Sequence, residues 1–559
     1  MSTPDSPPPR TSTLITTALA LALALSGGCG EAFHDAHEYD EGVGSESDDP
    51  EDEDDGDDDD APPSVHTSTS GSGADTSESL SSGGTSTREP PDDDPTTSGA
   101  DVDEPPQVLQ PEVQGSHAPA PITAAGPVTL SVVALDDHHV DRVEFLINDA
   151  IVATVTDHEY GRYAHALSID HQDDAGAYTF QARAVDSAGQ TTTSEVVPWT
   201  VELPASGAVM INEPNEPIPG EHVYWEDVAV SPTGELYVIG RRIKDGVVTL
   251  LSERRGPSGA LIDDTWINPV PGRFGVAAAF MDSTLIVVAR DVDGSSWIGR
   301  YLANGALMYQ RSQDDVEWRD VAVGDGRVFV VGNTGALADV GTVNARTWAL
   351  TPTLVPFWVR TETAGGDKNV ARAIAVADGR IFAVGHVTYD DIPGRYGAAW
   401  AYSTGDGSFL WSREFPKESE DLADITVLPD GLRTAGFWDV DGGQRMVVRH
   451  LQVENGVGVP INILAQTHEV ERAQGIAATS HGEYVVAGTR CTGGECFAQG
   501  RRYAGNTNKW TAEYALKSPA SGVVAAASLP YGYVALIGQQ DVDYGNGDQG
   551  SSWLRVIHP

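Results

Sequence analysis

The feature that most constrains this chain is a short unit that returns throughout its C-terminal part. The clearest copy runs Asp320-Val-Ala-Val-Gly-Asp-Gly-Arg-Val-Phe-Val-Val-Gly332. Two apolar runs, Val321 to Val323 and Val328 to Val331, flank Asp325-Gly326. Asp-Gly accepts the positive φ that a tight hairpin turn needs, so the unit predicts a pair of antiparallel strands. Further copies lie at Asp227 to Gly240, Ala373 to Gly385, Asp424 to Gly436, Gly475 to Gly488 and Val524 to Gly538, with a weaker one at Val276 to Ala289. Seven units at a period of roughly 50 residues predict a seven-bladed β-propeller, each blade a four-stranded sheet. A third and a fourth, aromatic strand follow most cores, as in Ala398 to Trp411 and Phe497 to Trp510. The last unit shows only one strand after Gly538, from Ser552 to Pro559, while an orphan apolar strand, Ala208 to Asn212, precedes the first. That orphan is expected to complete the seventh blade and close the ring by hydrogen bonds, leaving no long free edge.

The N-terminal region is of another kind. Arg10 precedes an apolar run, Leu14 to Leu25, that is too short to span a bilayer and reads as the core of a signal peptide. It ends in Leu25-Ser-Gly-Gly-Cys29, which resembles the lipobox of bacterial lipoproteins. The resemblance implies removal of residues 1–28 and a diacylglyceryl group on Cys29. With Gly30 rather than Asp after the cysteine, it also implies an outer-membrane lipoprotein on the periplasmic or extracellular face. Residues 29–106 read as a disordered tether: Asp48 to Asp60 is almost wholly acidic, and Ser64 to Ser98 is rich in Ser, Thr, Gly and Pro. Neither stretch has apolar surface enough to offset chain entropy, and like charges extend it. The tether as a whole supplies about half of the net charge of -49. No basic stripe exists to meet a phosphate backbone, so nucleic acid is not expected as a partner.

Residues 107–204 alternate apolar and polar at Val128 to Val133, Val140 to Ile147, Ile151 to Val155, Tyr178 to Val185 and Glu195 to Glu202, the pattern of a small β-sandwich. Val140 to Asn148 and Gly176 to Gly189 resemble the strand motifs of bacterial immunoglobulin-like domains, which implies a spacer or adhesion module. The acidic and histidine-rich Asp136-Asp-His-His-Val-Asp141 reads as a solvated loop, because adjacent ligands seldom converge on one ion. The repeat core resembles the bacterial β-propeller repeat "D-x-A-V-D-x-x-G-N-x-Y-V-x-G", most closely at Asp227 to Gly240. That resemblance implies a scaffold and no shared chemistry. Ala401 to Trp411 resembles the tryptophan-docking repeat of quinone-dependent dehydrogenase propellers, and a structural tryptophan between blades is the expected role. The class is therefore all-β: an immunoglobulin-like sandwich, then a seven-bladed propeller over residues 205–559, preceded by the tether.

No G-x-S-x-G elbow, H-E-x-x-H motif or phosphate loop is present, so no catalytic residues are assigned. The residues expected at the mouth of the propeller are Glu226, Asp227, Arg319, Asp320, Arg372, Asp424 and Gln474, where a polar ring would meet a ligand or close the channel with salt bridges. No cofactor is expected beyond calcium, for which Asp291, Asp293, Asp439, Asp441, Asp541 and Asp543 are the candidate ligands, Asp-rich hairpin loops being the alternative. Cys491 and Cys496 enclose Thr-Gly-Gly-Glu and are expected to form a disulfide, in keeping with an exported protein. The expected function is non-catalytic recognition or adhesion at the cell surface by a monomer that binds a protein or glycan. The alternatives are a propeller enzyme, quinone-linked or hydrolytic, and a purely structural display protein.

Overall fold

A computed structural model describes residues 103–205, 207–214, 220–334, 343–362, 366–415, 419–440, 443–461, 470–479, 482–516, 522–543 and 548–558. Cys29, Asp441 and nearly all of the expected tether lie outside them. The described residues are all-β, with single turns of 3-10 helix at Gln172–Asp174 and Pro530–Gly532. No helix among them is long and apolar enough to cross a membrane.

The first sheet of the sandwich joins Gln107–Val108, Glu112–Val113, Gly126–Leu135 and Arg162–Ile169; the second joins Val140–Ile147, Ala150–Val155, Gly176–Asp186, Thr191–Thr193 and Val197–Val201. Val128, Leu130, Val132 and Ala134 bury every second side chain of one strand, as the pleat dictates. Phe145 and Phe180 stack at 5.6 Å in the core beneath them. The strand Arg162–Ile169 did not figure in the sequence reading. Its inward positions are Tyr163, His165, Leu167 and Ile169, and an imidazole among them blurs the apolar alternation.

Seven four-stranded blades follow, the fifth and sixth joined at one parallel pair, Gln444 with Val470. Their first strands are Glu221–Val230, Arg273–Met281, Val316–Gly324, Lys368–Ala377, Glu420–Leu428, Val470–Ala478 and Gly522–Ser528. Each contacts the first strand of the next blade, and the seventh contacts the first, so these strands line the axis of a closed ring. The seventh blade runs Gly522–Ser528, Val534–Asp543, Asp548–Ile557 and then Val209–Pro214, which comes from the other end of the domain. The closing pair is antiparallel, with Val209 opposite Ile557 and Pro214 opposite Trp553. Between blades the packing is apolar: Val321, Val323, Val328 and Trp318 of blade three pack with Val276, Ala277, Ile286 and Val288 of blade two, all buried. Each such aliphatic side chain contributes about 1.5–3 kcal/mol by leaving water.

The unit's Asp-Gly pairs are the turns between first and second strands. Asp325 and Gly326 both have positive φ, as do Asp378 and Gly379, which is the geometry of a two-residue hairpin loop. Cys491 and Cys496 face each other across the hairpin between the second and third strands of blade six, with Cα atoms 4.1 Å apart, and are disulfide-bonded. That is slightly closer than the usual range because the two residues are direct cross-strand partners.

The sandwich meets the ring on the side of these turns. The Ala125 N–H donates to the Tyr533 hydroxyl at 3.1 Å, and His171 Nε2 lies 3.5 Å from a Glu483 carboxylate oxygen. Tyr533 and Glu483 stand at the turn ends of blades seven and six. The other end of the axis is the mouth described next.

Candidate functional site

The mouth is shaped by one irregularity that recurs in every blade. Each first strand carries a β-bulge, at Glu226, Val276, Arg319, Arg372, Ala423, Gln474 and Val524. A bulge adds a residue that has no cross-strand partner and re-aims its side chain. It also explains the glycine that ends the repeat. A Cβ on Gly240, Gly385, Gly436 or Gly488 would lie 2.0 Å from a carbonyl oxygen of the bulged strand, so only hydrogen fits there.

One residue beyond the bulge, three aspartates leave the mouth for the body of the ring. Asp227 accepts from the N–H of Val228 at 2.7 Å and from Ala278 of the next blade at 2.8 Å. Asp320 does the same with Val321 and Ile374, and Asp424 with Ile425 and Ile476. All three are fully buried. The expectation that they face a ligand is therefore corrected: each carboxylate staples one blade to its successor through backbone donors. The staples join blades one to two, three to four and five to six. The blades that receive them carry Ala277, Ala373 and Gly475 at the matching position, which leaves room for the incoming side chain. Burial pushes the carboxyls of Asp320 and Asp424 well above the ordinary range, Asp320 also feeling the other two carboxylates. Asp227 is pushed up to about 7, again by burial against the pull of its two N–H donors.

The other predicted residues do stand at the mouth, in two arcs. In the first, Glu226 lies 3.6 Å from Arg241, while Glu317 pairs with Arg319 at 3.0 Å and with Arg290. Burial pushes Glu226 up to about 7 against the attraction of Arg241 and Arg290. In the second arc, Asp421 binds Arg372 at 3.0 Å, His386 Nδ1 at 2.9 Å and Arg395 at 3.3 Å. Burial opposes its charge, but Arg372, His386 and Arg395 outweigh it and hold the carboxyl well below its usual range. Arg395 continues to Asp439 at 3.8 Å, whose carboxylate also accepts from the Gln444 amide at 2.7 Å, and Gln444 in turn accepts from Arg472. Each arc thus sets three guanidinium groups against two carboxylates, in a chain whose net charge is -49. Aromatic faces back them: Phe274 under Arg241 and Arg290, and Phe437 under Arg395 and Arg472. Gln474 closes the circuit with a hydrogen bond from Thr489 at 3.3 Å.

Sequence reasoning missed Arg241, Arg290, His386, Arg395, Asp421 and Arg472. A signal for some of them existed. The position after the repeat's last residue holds Arg241, Arg290, Asn333, His386, Phe437, Thr489 and Gln539, a polar and aromatic column on the mouth side of an otherwise apolar strand.

Of the loop aspartates expected to hold calcium, the three whose side chains are described make other contacts. Asp291 takes a two-point contact from Arg273 at 2.6 and 2.9 Å, and Asp293 accepts from the Ser295 N–H and hydroxyl. Asp439 belongs to the second arc. Asp441 and the side chains of Asp541 and Asp543 lie outside the described residues. Trp411 takes the structural role: its indole N–H donates to Val453 O of the next blade at 3.0 Å. Trp358 and Trp266 repeat the contact with Thr404 and Ala303, so tryptophan docking is a device of three blades rather than one.

Residues 116–182 match the family model described as a bacterial Ig domain. Among solved structures the chain is similar to the β-propeller domain of the trilobed protease from Pyrococcus furiosus, at 8% identity over 59% of this chain and 93% of that one, with a TM-score of 0.36. The NanB sialidase of Streptococcus pneumoniae aligns at 9% identity over 82% and 93% of the two chains, with a TM-score of 0.33. Fibronectin(III)-like modules of CbhA from Clostridium thermocellum align at 17% identity over 36% and 90%, with a TM-score of 0.15. No curated protein matches the chain. The protein is an immunoglobulin-like β-sandwich joined to a seven-bladed β-propeller, with a bacterial Ig domain in its N-terminal half.

Proposed function

We propose that this protein is a lipid-anchored recognition module of the bacterial surface, whose propeller mouth binds the anionic groups of a protein or glycan without chemical conversion. The observation that carries the reading is the pair of arginine arcs at the end of the ring opposite the sandwich. Guanidinium groups backed by aromatic rings suit carboxylate and sulfate groups, through two-point hydrogen bonds and a desolvated face. The carboxylates among them hold the arginines in register and keep the mouth from collapsing on its own charge. Orientation supports the reading too: the sandwich covers the turn side, so the mouth faces away from whatever holds the N-terminal end.

The membrane arm of the proposal rests on Leu25-Ser-Gly-Gly-Cys29 alone, with the acidic tether as a spacer and the outer membrane as the address. Cys29→Ala is expected to abolish labelling by radioactive palmitate and to move the protein from the detergent phase to the aqueous phase. Unchanged partitioning refutes the anchor.

The mouth is tested with defined probes: oligogalacturonate, an oligoglutamate peptide and a neutral gluco-oligosaccharide, titrated against the purified full chain. An acidic probe is expected to bind and the neutral one not. Arg290→Gln with Arg319→Gln is expected to weaken the acidic probe at least tenfold, about 1.4 kcal/mol. Affinity that survives in this double variant, or equal affinity for the neutral sugar, overturns the reading.

A further inference from the structure

A separate cluster in the sandwich has the makings of a metal site. Asp136 opens the loop after the strand Gly126–Leu135, and Asp186 ends the strand Gly176–Asp186. Each uses one oxygen locally. Asp136 Oδ2 accepts from the N–H groups of His138 and His139 at 3.2 and 2.8 Å, and Asp186 Oδ1 accepts from the Gln190 N–H at 2.7 Å. Their remaining oxygens, Asp136 Oδ1 and Asp186 Oδ2, are buried and have no hydrogen-bond donor. Asp186 is only 2% exposed, and among the described residues neither aspartate pairs with a Lys or Arg. The two carboxylates offer oxygens within 4.8 Å of one another.

Two anionic oxygens turned toward each other without a donor or a cation are costly, each lone oxygen forfeiting its hydration. A calcium ion removes that cost. Its ligand oxygens sit about 2.3–2.6 Å from the ion, so oxygens on opposite sides of it stand up to about 5 Å apart, which the observed spacing meets. The loops are already built to hold such a geometry. The Ser187 N–H donates to His139 O at 3.2 Å and ties the two carboxylate loops together. The backbone N–H of Glu104 donates to the neighbouring Asp137 carboxylate, so the chain enters the sandwich beside this loop.

We propose that Asp136 and Asp186 form the protein wall of a calcium site at the N-terminal edge of the sandwich, where the ion fixes the entering chain to the domain. The ligands that sequence adjacency could not bring together are supplied by separate loops, which is why Asp136 to Asp141 read as a solvated segment. The remaining positions of the six to eight that calcium takes fall to carbonyl oxygens and water.

The test is calorimetric titration of the chelator-stripped full chain with CaCl2, with hydrogen exchange followed in parallel. A single saturable site is expected, with slowed exchange at residues 104–109, 136–139 and 186–190. Asp186→Asn and Asp136→Asn each preserve the local hydrogen bond through the amide oxygen, and each is expected to weaken calcium at least tenfold. If one variant fails to fold, as read by near-ultraviolet dichroism, the other and the wild-type exchange map still decide. No saturable site, or a site unchanged in both variants and hence belonging to the acidic run or the blade loops, overturns the proposal. Zinc or manganese bound more tightly than calcium by the same residues overturns the choice of ion.

Discussion

Asp421 and Asp424 lie three residues apart on one strand, both fully buried, and the protein treats them in opposite ways. Asp421 faces the seam with blade four and is surrounded by Arg372, His386 and Arg395. Asp424 faces the seam with blade six and meets only backbone N–H groups. The first seam holds its carboxylate by opposite charge, which drives the carboxyl far below its ordinary range; the second holds it by dipoles too weak to offset burial, which leaves it far above. A buried acid in this ring is therefore not one kind of object. One belongs to the charged network of the mouth, the other to the joint between two blades.

The comparison breaks most readily at Asp421. Asp421→Asn leaves Arg372 buried beside a neutral partner, and the expected cost is about 3–5 kcal/mol of unfolding free energy in a urea titration. Asp424→Asn should cost less, about 1–3 kcal/mol, because the amide keeps one backbone bond, loses the other and removes a charge that burial disfavours. Equal losses in the two variants would mean that the seams do not differ as described.

The smallest effect is a slope, and its sign separates raised carboxyls from depressed ones. A carboxyl raised in the folded state is still protonated where the unfolded chain has already lost its proton. Its contribution is whole below about pH 4 and is lost as pH rises toward the folded value, about 7 for Asp227 and Glu226. Asp421 is depressed, so its contribution is present above about pH 4 and is lost only on acidification. The unfolding free energy is thus expected to fall between pH 5 and pH 8, at no more than about 1.4 kcal/mol per pH unit for each proton involved. Asp227→Asn with Asp424→Asn should flatten that limb and leave the acid limb intact. A limb that rises with pH in the wild type would contradict the assignment.

How much of this was legible in advance follows from the physics of each residue. The blades were, because Val321 to Val331 carries a strand period, a turn with its own φ requirement and a glycine, and all three act over a few residues. Closure by Val209–Pro214 was as well, since a blade short of a strand and a strand short of a blade stood at opposite ends. The fate of Asp227, Asp320 and Asp424 was not. A polar residue at the head of an inner strand looks the same in sequence whether its partner is solvent or the N–H of another blade some fifty residues on. The mouth was half legible: Arg319 and Arg372 sit in the repeat, whereas Arg395 comes from a third strand that the motif does not cover. The partners of Asp291 and Asp293 were not legible either: Arg273 and Ser295 hold them, which the spacing of the aspartates alone does not reveal.

The closing strand has a mechanical meaning. The covalent path from the sandwich into the ring runs through Val209–Pro214, the outermost strand of blade seven, rather than through any blade core. The first bonds it meets are those of Gly207 N–H to His558 O and His558 N–H to Ala208 O, at 3.1 and 2.9 Å, followed by the ladder opposite Asp548–Ile557. Because the strand is covalently joined to the sandwich and its partner to the ring, parting this seam would leave both halves tethered at the place where they must meet again.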